Sequence, residues 1–217
     1  RIGHSLLDET VHSTEERSVA AFARGIKDAY EPFLRRRAVD GNIPTAMVLF
    51  EALNAHGIHY AADASSPYSQ VRGDRSAVDH IQYPAELLDS RMGDCDDCTV
   101  LYCSLLENLN IATALIDHPD HILMMFDTGI SVARFGYGFS LDEERFVVRD
   151  DRFWLPVEVT VLGEGSFAKA WDLGAQATTR LAQAGELRIT GVREVWPQYP
   201  YAIPESDLEI SLPAARQ

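Results

Sequence analysis

Cys95 lies in the segment Ser90-Arg91-Met92-Gly93-Asp94-Cys95-Asp96-Asp97-Cys98-Thr99-Val100-Leu101, where a glycine and three aspartates surround a thiol. Apolar residues then recur at Val100, Leu101, Leu105, Leu106 and Leu109, the spacing of one helix face. Asp94 and Asp97 suit a helix cap and a first turn, where carboxylates are favoured by the dipole. Cys95 is therefore expected at or just before a helix N-terminus, where backbone N–H groups stabilise a thiolate or an oxyanion. The acids act the other way and raise the pKa of the thiol. A small buried hydrophobe is the plain alternative for any cysteine. Nucleophilic chemistry further requires a base near the sulfur and a third group that orients the base.

Histidine supplies the base most readily. His4, His12, His56 and His59 fall in the helical half or its exposed ends, His80 in a loop and His118 in a turn. His121 opens a strand that follows the cysteine helix by one strand, so a helix packed on the sheet brings its N-terminus over that strand's end. A strand-end histidine that is merely solvated is the competing reading. For the third group, Glu158 interrupts the apolar run Trp154-Leu155-Pro156-Val157-Glu158-Val159. It is read either as an orienting carboxylate or as a solvent-facing alternation residue.

The elements around these residues read in two blocks. Ser13-Thr14-Glu15-Glu16 opens a helix through Arg37 in the manner of a capping box, with Val19, Phe22, Ala23, Ile26, Tyr30 and Phe33 inward. Asn42 and Pro44 start a second helix that Gly57 stops, and Ile58-His59-Tyr60 reads as a short extended piece. Residues 61–79 form a polar surface loop, and Pro84 opens a short helix leading to Gly93. After the cysteine helix the period changes. Strands are expected at Ile111–Ile116, His121–Phe126, Phe146–Val148 and Arg152–Thr160, with turns at His118-Pro119-Asp120, Asp127-Thr128-Gly129 and Asp150-Asp151. The apolar run Ile122–Phe126 marks a central strand. A helix follows at Ser166–Leu181, and the proline-bearing remainder reads as an extended arm. The expectation is an α+β fold in one domain over residues 1–217, helical to about 109, sheet over about 110–182 and an arm over about 183–217.

The chain has 217 residues, 46% hydrophobic and 24% charged, an ordinary globular composition. A net charge of -14 argues against nucleic acid or an anionic membrane as partner, and no apolar run reaches the length of a membrane span. The three cysteines, Cys95, Cys98 and Cys103, are clustered rather than dispersed, unlike a disulfide scaffold. Cys95 and Cys98 form a C-x-x-C, but no second pair completes a zinc site. The sequence begins with Arg1 and is read as a piece of a longer chain.

Three separated motifs resemble the bacterial transglutaminase-like superfamily over about residues 80–175. They are Gly93-Asp94-Cys95-Asp96-Asp97, Pro119-Asp120-His121-Ile122, and Trp154, Pro156, Glu158 and Thr160, preceded by Gln82-Tyr83-Pro84 with Glu86, Leu87 and Arg91. The resemblance implies a papain-like core with a Cys-His-Asp type triad in that chain order. Carried over, Cys95 is the nucleophile, His121 the general base and Glu158 the orienting acid, where the family usually has aspartate. The oxyanion donors would be the Cys95 N–H and the Gln82 side chain, with Tyr83 as second choice. His121 as imidazolium would offset the acids around the thiol. The implied activity is that of a cysteine peptidase, amidase or glutamine acyltransferase acting on a peptide or protein through a thioester, with no required cofactor and an extracytoplasmic or periplasmic setting. Periplasmic calcium-dependent relatives bind the ion through acids flanking the cysteine, which assigns Asp94 and Asp96 either to calcium or to capping. The other reading of the same fold is a catalytically impaired peptide-binding module.

Overall fold

The strand β4, His121–Ser131, carries an unbroken apolar run from Ile122 to Phe126 because both its faces are covered there. Ile122, Met124 and Phe126 join one core, while Leu123 and Met125 join another on the opposite face. The computed structural model describes residues 17–35, 41–62, 82–118, 121–133 and 143–195. The capping box at Ser13–Glu16, Arg36 and Arg37, nearly all of the polar loop at 61–79, His80, the Pro119-Asp120 turn and the chain from 196 onward lie outside the described residues.

Six α-helices and a curled five-stranded antiparallel sheet make an α+β fold among the described residues. The helices α1 (Arg17–Leu34), α2 (Ile43–His56), α3 (Pro84–Ser90) and α4 (Cys95–Asn108) pack on one sheet face. The sheet runs β5 (Val147–Arg149), β6 (Arg152–Val157), β4, β3 (Thr113–His118), β7 (Arg188–Gly191), so β4 is central as its composition requires. The helix α5 (Phe167–Ala184) begins in the main core with Phe167 and Ala170, and its later turns cover the far face with Ala177 and Leu181. It lies so close to β6 that a Cβ on Gly174 would stand 2.7 Å from the Pro156 carbonyl oxygen. A one-turn helix α6 (Val192–Val195) follows β7. A separate parallel pair, β1 (His59–Tyr60) with β2 (Met92–Gly93), sits beside the start of α4. No helix among the described residues is long and apolar enough to cross a membrane.

The helix signals behave as the residues dictate. Pro44 occupies the first turn of α2 and Gly57 ends it in the left-handed region at φ 94°. The helix α4 is buried at every residue except Asn108, more completely than its one apolar stripe implies. It is the central helix, enclosed by its neighbours and β4. At its far end the Glu107 carboxylate accepts the Thr113 N–H at 2.7 Å and the Thr113 hydroxyl at 2.8 Å, and also receives Arg193 Nε at 2.7 Å. One buried acid thus ties α4 to β3 and α6.

Three expectations are corrected. Asp127-Thr128-Gly129 is not a turn: β4 runs through it with a register shift between Asp127 and Ser131, and Gly129 takes φ 74°. The turn residues signal a bulge there. It docks α2, because Asn42 donates its backbone N–H to Thr128 O at 2.7 Å and its side-chain amide to Asp127 O at 2.8 Å. Second, β6 ends at Val157, and a 3₁₀ turn at Val159–Val161 takes over. Third, the supposed arm from 183 includes the end of α5 and the edge strand β7, whose short, half-exposed Arg-Ile-Thr-Gly carries little strand pattern.

Replacing Glu107 by Ala should strand the Thr113 donors and Arg193. The expected loss is about 2 kcal/mol of unfolding free energy, measured by urea denaturation.

Candidate functional site

The segment around Cys95 is built on two aspartates that cap each other's backbone. Asp94 is the N-cap of α4, and its Oδ1 accepts the N–H groups of Asp96 at 3.0 Å and Asp97 at 3.1 Å. Asp97 returns the bond, its Oδ2 accepting the Asp94 N–H at 3.1 Å. Gln82 then locks Asp97 from outside, donating its backbone N–H to Oδ1 at 2.7 Å and its side-chain amide to Oδ2 at 2.9 Å. Position 93 is forced to be glycine. A Cβ there would meet Leu87 Cδ1 at 2.7 Å and Asp97 Cβ at 2.8 Å.

Cys95 is the first residue of α4 and is only 8% exposed. Its thiol donates to Asp96 Oδ1 at 3.2 Å. It makes no hydrogen bond with His121. The backbone N–H of Ile122, the residue after His121, acts to lower the thiol pKa, so Cys95 lies near the start of β4. Burial raises the thiol pKa well above the ordinary cysteine range. The Asp96 charge and hydrogen bond and the Asp94 charge add to the rise, and only the Ile122 N–H opposes it. The resting group is a neutral thiol. The expected offset of the acids by an imidazolium does not dominate in this arrangement.

His121 opens β4, and its Nε2 lies 2.9 Å from both carboxylate oxygens of Glu158. Glu158 is the first residue past β6 and N-caps the 3₁₀ turn. Its Oε1 accepts the Thr160 N–H at 3.0 Å and the Thr160 hydroxyl at 2.7 Å. Its own N–H donates to Ala170 O at 3.0 Å, fixing its backbone to the first turn of α5. The extra methylene relative to aspartate is absorbed because the side chain folds back on its own turn while still reaching the ring. Burial works to raise the Glu158 pKa, but the hydrogen bond and charge of His121 and the two Thr160 donors outweigh it and lower the value. An ionised carboxylate only accepts, so Nε2 carries the proton and the lone pair of the neutral ring is on Nδ1.

His121 and Glu158 are joined by a hydrogen bond, and the helix that Cys95 opens packs on β4 and on the turn after β6. Gln82 is not an available oxyanion donor, since its amide nitrogen is committed to Asp97 and to Met92 O at 3.1 Å. Tyr83 opens α3, its N–H bonded to Glu86 Oε2 at 3.1 Å. Asp94 is a cap. Among the described residues no group of three or more His, Cys, Asp or Glu side chains could hold a metal. Calcium takes six to eight oxygens, and Asp94 and Asp96 alone do not make such a site. Cys98 is fully buried with its thiol toward the Gly93 carbonyl. One residue near the site carried no sequence signal. Tyr60 was read only as part of a short extended piece, but β1 sets it opposite Gly93. Its place depends on a pairing across more than thirty residues of chain, which local pattern does not encode. No family model, curated protein or solved structure matches the chain.

Two outcomes follow from these shifts. Because burial and the acids hold the thiol neutral, iodoacetamide should label Cys95 more slowly than free cysteine at about pH 7, with the rate still climbing near pH 9. Asp96→Asn should speed the labelling at neutral pH, read by mass spectrometry of the modified peptide. The Glu158 carboxyl has a lowered folded pKa, so its stabilisation is present above the ordinary value of 4.5 and is lost as pH falls through the folded value. Thermal denaturation should show the gap between wild type and Glu158→Gln closing with acidification below that value.

Proposed function

We propose that the protein is a thiol enzyme with a papain-like, transglutaminase-like core that cleaves a peptide or protein amide through a thioester on Cys95. The observation that carries this reading is the His121–Glu158 pair. A half-buried charged carboxylate, pinned by Thr160, fixes the tautomer and plane of a histidine at the end of the strand on which the Cys95 helix packs. A surface histidine needs no such support.

In this reading the thiol turns from Asp96 toward His121 when substrate displaces its resting contact. His121 Nδ1 takes the thiol proton as sulfur attacks the carbonyl carbon, and the imidazolium so formed is stabilised by Glu158. The carbonyl electron pair moves onto oxygen. Collapse of that oxyanion breaks the C–N bond, and His121 returns the proton to the leaving amine. Water, activated by the same histidine, then splits the thioester and regenerates the thiol. General-base activation suits a thiol that rests neutral, whereas a preformed thiolate–imidazolium pair does not. Hydrolysis is favoured over transfer to an amine by the family resemblance.

The second reading is a peptide-binding module that has lost turnover. It is favoured by one observation, the thiol's bond to Asp96 rather than to His121. The two separate on acylation. With p-nitrophenyl acetate, the enzyme should gain one acetyl group on Cys95, abolished by Cys95→Ala. His121→Ala and Glu158→Gln should each slow that acylation by about 10²-fold or more. Wild-type Cys95 left unacetylated, or both variants acylating at the wild-type rate, sinks the enzyme reading.

A further inference from the structure

The attack described above generates an oxyanion, and the side chain proposed from sequence to receive it is otherwise engaged. Two donors on the segments around Cys95 have no acceptor among the described residues. The first is the Cys95 N–H. It heads α4, while the next two N–H groups are taken by Asp94 Oδ1 and the Cys98 N–H by the Asp94 carbonyl. The Cys95 N–H itself has no acceptor among the described residues. The second is the Tyr60 hydroxyl, which also makes no hydrogen bond among the described residues.

Tyr60 is held where such a donor is needed. In the parallel ladder it pairs with Gly93, two residues before the nucleophile. The Ala61 N–H donates to Gly93 O at 2.8 Å and locks the strand to the cysteine turn. On its other edge the Tyr60 N–H donates to Leu162 O at 3.2 Å, in the segment that follows the Glu158 turn. That turn approaches so closely that a Cβ on Gly163 would stand 2.4 Å from His59 Cβ. β1 is therefore the seam between the nucleophile segment and the segment carrying Glu158. The Tyr60 ring is 38% exposed and belongs to neither core cluster, so packing does not account for it. Opposite it, Gly93 has no side chain to intervene.

We propose that the Tyr60 hydroxyl and the Cys95 backbone N–H together form the oxyanion hole, Tyr60 donating to the oxygen that becomes negative as the sulfur–carbon bond forms. Tyr60 meets the requirements of such a donor. Partial burial, then the acids Asp94 and Glu158, raise its pKa above the ordinary tyrosine value, so it stays a neutral O–H at physiological pH. Tyr60 therefore lies within electrostatic reach of the helix start and of Glu158. A phenol among acids has little to gain from ionising and much to gain from an oxyanion acceptor that forms only in the transition state.

This assignment rests on the thiol-enzyme reading, and the test separates the two. Acetylation of Cys95 by p-nitrophenyl acetate passes through a tetrahedral oxyanion. Alkylation by iodoacetamide is displacement at a saturated carbon and forms none. Tyr60→Phe removes only a hydroxyl from a part-exposed ring. The variant should acetylate roughly 10²-fold more slowly than wild type, with iodoacetamide labelling and thermal midpoint unchanged. Equal acetylation rates in variant and wild type overturn the role of Tyr60 and leave the thiol enzyme standing. A parallel fall in both reactions assigns Tyr60 to structure and also overturns the proposal. Wild-type protein that is not acetylated on Cys95 removes the enzyme reading and the Tyr60 role together.

Discussion

The carboxylate of Asp97 is the tie on which the site depends. It accepts the backbone and side-chain N–H groups of Gln82 and the backbone N–H of Asp94, while its own N–H is capped by Asp94. One buried acid, 4% exposed, thereby closes the helix start, the glycine turn before it and the approach to α3. Each bond involves a charged acceptor, so each is stronger than a neutral pair. Glycine at 93 follows from this knot, since its Cα lies against Asp97 and Leu87. The direction in which Cys95 leaves the turn is set by the knot and not by the cysteine.

Three neighbouring acids have different roles because of where their oxygens point. Asp94 and Asp97 accept helix N–H groups, and Asp94 acts on the sulfur only through its charge. Asp96 is buried and takes the thiol proton as a hydrogen bond, which keeps the sulfur unreactive at rest. A thiol so held is protected from adventitious oxidation, which proceeds through thiolate. The His121–Glu158 pair is supported separately, by Thr160 and by the α5 carbonyl of Ala170. Cys95 and His121 are thus carried on different layers, α4 on one side and the sheet on the other.

Much of this was legible along the chain. The Asp94 cap, the α4 helix, the Gly57 stop, the central strand at Ile122–Phe126 and the Asp150-Asp151 turn, both residues left-handed, follow from local rules. Cys95, His121 and Glu158 were named from order and element type, and a hydrogen bond joins the last two. The bulge at Gly129 was not, because Asp-Thr-Gly has the same composition in a turn and in a bulge, and only the partner strand and Asn42 distinguish them. The strand β7 was not, because four half-exposed residues acquire strand character only by pairing with β3.

By itself, the sequence determined what is local: which residues cap, stop and turn the chain, where helical and strand periods change, and that Cys95 stands at a helix start among acids. Those properties depend on neighbours within a few residues. Tertiary structure alone decided which donors and acceptors are already taken. Gln82, the expected oxyanion donor, is consumed by Asp97. Tyr60, read only as extended backbone, is brought opposite Gly93, with its hydroxyl unpaired among the described residues. Asp96, not His121, holds the thiol. Each outcome depends on distances between segments far apart in sequence, and hydrogen bonds are decided over tenths of an ångström that no residue pattern carries.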